Sequence, residues 1–88
     1  MDKPYPLAQK AMADLRAAIW LLLETAPVEG LKNSHIGRAL GIYSGHVGHE
    51  GHISRTILAL MQAEGVVEQD ATSKSWRLRR QHDQDSGE

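Results

Sequence analysis

The chain has 88 residues, 41% of them hydrophobic, with no cysteine and a formal net charge of −1. That length supports one domain with one modest core and excludes two. The missing cysteines exclude disulfides, thiolate zinc sites and cysteine nucleophiles, and fit a reducing cytoplasm. The longest apolar run, residues 17–23, is too short to span a bilayer, and the segment MDKPYPLAQK has no apolar signal core. A cytoplasmic protein with no membrane association is therefore expected.

In chain order, residues 1–6 carry two prolines and read as a flexible lead-in. Between Leu7 and Ala26, the apolar residues Met12, Leu15, Ile19, Leu22 and Ala26 recur at helical spacing, and Pro27 ends the pattern. Ala17, Trp20 and Leu21 lie off that stripe. The first helix is thus apolar over a second face, which either a folded-back hairpin or a second subunit must cover. A homodimer through Ala17, Trp20 and Leu21 follows from the second option.

The segment LKNSHIGRALGI, residues 31–42, predicts a compact second helix with Ser34 as N-cap and Ile36, Ala39 and Leu40 inward. Gly41 suits the left-handed position after a helix, with Ile42 packing back. Residues 43–52 form a glycine-spaced linker. A third helix then runs to about Ala63, burying Ile53, Ile57, Leu60 and Met61, and Gly65 stops it. On that register Gly51, His52, Arg55, Ala59 and Gln62 point away from the core. Val66 and Val67 open a strand, residues 70–73 supply turn types, and Trp76 and Leu78 alternate with Arg77 and Arg79 on the return strand. The domain is expected over residues 7–80, with a polar, disordered tail at 81–88.

The motifs KNSHIGRALGI, HISRTILALMQAEGVVEQD and KSWRLRR give the order helix, turn, helix, hairpin. In this order the chain resembles the winged helix-turn-helix family, which includes many bacterial transcription regulators, over residues 8–80. The resemblance implies a mainly α fold of three helices with a small β-hairpin. It also implies binding to double-stranded DNA, with the third helix in the major groove and the hairpin on the flanking backbone. The link between helices two and three departs from the tight turn common in such motifs, being long and rich in glycine.

Charge is unevenly spread: residues 31–80 hold seven basic and four acidic side chains, a local balance of +3. Because salt confines electrostatic attraction to about 8–10 Å, the local sign decides phosphate attraction. Arg55 is the leading base reader, since its guanidinium can donate twice to guanine. His52 and Gln62 could add hydrogen bonds on the same face. Lys74 near the hairpin tip, with Arg77, could neutralise phosphates. Ser44, His46 and His49 in the linker complete the expected DNA-contacting set.

The string GHVGHEGH also places His46, His49, Glu50 and His52 close together, and imidazole and carboxylate suit zinc or nickel. No second ligand cluster accompanies them, so no metal and no cofactor is expected; a metal- or pH-responsive switch is the rival role for this string. No nucleophile-with-base motif and no phosphate-cradling glycine loop is present, so an enzyme is not expected. The expected function is DNA binding, as a small regulator or accessory module. The alternative is a winged-helix module that binds protein instead.

Overall fold

A computed structural model describes residues 3–44 and 51–79. Helix α1 spans Pro4–Glu24, α2 Asn33–Ala39 and α3 His52–Ala63; they are followed by strands β1 (Val67–Gln69) and β2 (Trp76–Leu78). The chain is thus mainly helical with one antiparallel hairpin, in which Val67, Glu68 and Gln69 face Leu78, Arg77 and Trp76.

Helix α1 starts earlier than its periodicity predicts. Pro4 stands in its first turn, where a missing N–H costs nothing, so residues 4–6 are helical and not a lead-in. It also stops earlier, at Glu24 with Thr25 as C-cap, ahead of Pro27. The predicted stripe packs on the core, with Ile19 fully buried and Met12, Leu15, Leu22 and Ala26 partly so, but Leu23, outside that stripe, is buried as well.

Helix α2 is shorter than expected. Leu31 leaves it for an antiparallel bridge to Trp76, donating to the Trp76 carbonyl at 2.9 Å and accepting from the Trp76 N–H at 2.7 Å. Lys32, in extended conformation, holds the N-cap position, so Ser34 lies inside the helix and does not cap it. The far end is as predicted: Gly41 is left-handed, its N–H donates to Arg38, and the Ile42 N–H reaches the Gly37 carbonyl at 2.8 Å. The same pair of bonds closes α3, from Gly65 to Gln62 and from Val66 to Met61. Both helices therefore end in the paired bonds of a Schellman cap.

The buried face of α3 differs from the predicted one. Ser54, Ile57, Leu58 and Met61 are buried, whereas Ile53 and Leu60 are only partly covered. The true inward stripe runs 54–57–58–61. With a serine at its first position, that stripe carries no apolar marker there in the sequence. Ile19, Ile36, Leu58 and Val67 form the fully enclosed centre, each worth about 1.5–3 kcal/mol of burial. Trp76 is buried beside them, as its alternation predicted, and Leu78 is half-buried. Arg16 on α1 meets Glu64 at the end of α3 at 2.7 Å. That half-exposed pair contributes at most about 1 kcal/mol.

Candidate nucleic-acid interface

The starts of α2 and α3 are held together by a small polar cluster. Asn33 donates its side-chain amide to the Gly51 carbonyl at 3.0 Å and accepts from the Ser54 hydroxyl at 2.7 Å. Ser54 is fully buried, and its hydroxyl, which would cost about 1–3 kcal/mol if left unsatisfied, has this acceptor and, at 3.2 Å, the Gly51 carbonyl. Gly51 precedes α3 with a left-handed φ of 80°, and its N–H closes the linker onto the Ser44 carbonyl at 2.9 Å. It is buried and does not face outward as its helical register predicted. A Cβ at this position would stand 2.7 Å from the Asn33 amide and 2.8 Å from the Tyr43 ring. Glycine is required here for its backbone conformation and for closeness to Tyr43.

The residue before Asn33 reaches the other way. Lys32 donates its ammonium to the Ser73 carbonyl in the hairpin loop at 3.0 Å. Two consecutive residues thus hold the hairpin loop with one side chain and the start of α3 with the other. The hairpin loop and the first turn of α3 are thus both anchored to the start of α2.

The loop itself is built around Asp70. Its carboxylate accepts from the Ser73 N–H at 2.6 Å and the Thr72 N–H at 3.0 Å. Asp70 also accepts at its carbonyl from the Lys74 N–H at 2.8 Å. Lys74 is left-handed, with φ of 68°, and its carbonyl receives the Gln69 side-chain amide. Such a backbone costs a lysine about 1–2 kcal/mol relative to glycine.

The hydrogen bonds from Ser73, with the Thr72 N–H and the Arg77 charge adding to them, hold the Asp70 carboxyl below the usual carboxylate range. A depressed folded-state value means that the carboxylate stabilises the loop above the ordinary Asp range and stops doing so as pH falls through the lowered one. The Ser73 amide resonance is therefore expected to titrate with a midpoint below that of a free aspartate. In Asp70→Asn that titration should vanish; its persistence would contradict this role for Asp70.

Of the predicted contact residues, His52, Arg55 and Gln62 are all exposed on α3, and Ala59 lies exposed between them. Ser44 is exposed where the linker leaves, and Lys74 is exposed on the hairpin loop. Arg77 is exposed too, but its guanidinium is bound to Glu68 across the hairpin at 2.7 Å. Its side chain also lines a groove beside Trp20. His46 and His49 lie outside the described residues. Among the described residues, no group of three histidine and acidic side chains could hold a metal ion.

One cluster was missed in the sequence. Lys32, Ser34, His35 and Arg38 line an open cleft of about 690 Å³ between α2 and the base of the hairpin, with Ser75 opposite and Glu29 at its edge. Arg38 stacks over the Tyr43 ring with its guanidinium carbon 4.5 Å from the centroid. These three bases stand one turn apart along α2, a spacing visible in KNSHIGR once Lys32 is placed as the cap. Among the described residues, no helix is long and apolar enough to cross a membrane. No protein-family model, no curated protein and no solved structure matches this chain.

Proposed function

We propose that the chain is a winged helix-turn-helix domain that binds double-stranded DNA. In this reading α3 enters the major groove and the 70–75 loop lies as a wing on the flanking backbone. The observation that carries it is the double hold of Lys32 and Asn33, which ties the hairpin loop and the start of α3 to the same end of α2. A groove-reading helix and a backbone-touching loop need such a fixed relation, since a misplaced reader loses its geometry. The Leu31–Trp76 bridge supports the same topology, because it adds a third, one-residue strand to the hairpin before α2.

Each side chain then has a role. Arg55, with His52 and Gln62, presents donors to base edges from the exposed face of α3. Lys74 contacts a phosphate from the wing, which gives a reason for a lysine in a left-handed conformation that glycine adopts at lower cost. Lys32, His35 and Arg38 add positive potential along α2. Arg77 is a weaker contact than its sequence position suggested, because Glu68 already engages it. Regulation of transcription is the simplest use of such a module.

Fluorescence anisotropy with a labelled random duplex tests this directly. Arg55→Ala should weaken binding by about 1–3 kcal/mol if it reads a base. Lys74→Ala should weaken all sequences alike and lower the slope of log affinity against log salt by about one. Unaltered affinity in both variants would refute the assignment of α3 and the wing.

A further inference from the structure

Trp20 stands between two hollows on the surface of α1. On one side a groove of about 510 Å³ runs between the end of α1, the loop after it and β2, floored by Leu23 and Ala26 and walled by Val28 and Leu78. On the other a dimple of about 230 Å³ reaches Met61 and Val66 past Ala17. Trp20 is 39% exposed, Leu21 60% and Val28 81%, so large apolar side chains stand open to water on this side of the molecule.

Two charges at the groove indicate what covers it. Glu24 and Arg79 both line it, and neither forms an ion pair with another described residue. The groove's other cation, Arg77, is taken by Glu68. A patch carrying one acid and one base, neither ion-paired among the described residues, beside exposed apolar side chains is complementary to itself. We infer that this surface pairs with a second copy of the chain about a two-fold axis. Such an interface meets its own patch, so every contact is made twice. Trp20 seats against Val28 and Leu78 across the axis, and Glu24 meets the partner's Arg79 at both ends. Ala17 and Leu21 extend the contact along α1. The inference does not rest on DNA binding and is tested without DNA.

Light scattering on the full chain at high concentration should give twice the 9.7 kDa chain mass. Glu24→Arg and Arg79→Glu each place like charges together and should raise the dimer dissociation constant by about tenfold or more. The double exchange, Glu24→Arg with Arg79→Glu, restores the pairing in reversed sense and should recover most of the affinity. Both positions are exposed, and circular dichroism of each variant confirms that the fold survives. A monomer at every concentration would overturn the inference and leave the groove to another occupant. A dimer indifferent to both single reversals would overturn it equally, since the contact would then lie elsewhere.

Discussion

Gly30→Ala should unfold the domain or lower its stability by about 3–5 kcal/mol, among the largest effects of any single substitution in the chain. Gly30 has a φ of 86°, and a Cβ there would stand 2.3 Å from the Trp76 carbonyl oxygen and 3.0 Å from its carbon. That carbonyl cannot retreat, because it accepts the Leu31 N–H at 2.9 Å in the bridge that ties α2 to the hairpin. Relief of the clash would break the bridge and pull Trp76 from the core. Gly41→Ala is the internal control: φ is 74° and nothing lies within 4 Å of the added carbon. It should show only the left-handed penalty of about 1–2 kcal/mol. In a domain of this size each kcal/mol moves the melting temperature by about 4–8 °C, so thermal denaturation separates the two. Equal losses in both variants would mean that the Gly30 approach to Trp76 is not as tight as described.

Asn33→Leu should be the next most damaging, at about 2–3 kcal/mol. It removes the donor to the Gly51 carbonyl and the closest acceptor of the Ser54 hydroxyl. Ser54 keeps a longer bond of 3.2 Å to the Gly51 carbonyl, so the loss stops short of a wholly orphaned buried hydroxyl. The damage should be local first. Amide exchange of residues 51–55 is expected to accelerate more than that of Leu58 and Met61, because the first turn of α3 loses its anchor while the core half keeps its packing. Uniform acceleration across α3 would show that Asn33 contributes to global stability without specifically fixing that turn. Ser54→Ala in the Asn33→Leu background should recover part of the loss, since it removes the hydroxyl left poorly satisfied.

These two positions also show what the sequence could and could not convey. Helix count, order and the hairpin followed from period and punctuation: the α1 stripe, Gly41 and Gly65 as stops, and the alternation at Trp76 and Leu78 were all legible. The inward face of α3 was misplaced because Ser54 sits in a core register, and the closest partner of its hydroxyl is Asn33, twenty-one residues away. Leu31 looked like the start of a helix because its strand partner, Trp76, lies forty-five residues away. Long-range pairing of this kind leaves no local signature.

The candidate interface was legible in the same measure. Exposure of His52, Arg55 and Gln62 followed from helical spacing, and that of Lys74 from its place near the hairpin tip. The opposite was true of Gly51, which spacing placed outward and Tyr43 encloses. Lys32, His35 and Arg38 were visible as residue types but not as a cluster, because their shared cleft needs the hairpin base as its other wall. Arg77 drew notice as part of a basic run, while its neutralising partner Glu68 lies across the hairpin and becomes apparent only with the strand register. Net charge alone, at −1, would have argued against a polyanion partner; the placement of the bases is what keeps one in view.

The central claim is that α3 and the 70–75 loop together form a DNA-binding surface. A residue-resolved NMR titration of the chain with duplex DNA at low salt tests it most directly. Shifts are predicted at His52, Arg55, Gln62, Ser73 and Lys74, together with Lys32 and His35, and they should weaken steeply as salt is raised. Spectra unchanged by duplex at low salt, or shifts confined to Ala17, Trp20 and Leu21, would contradict it.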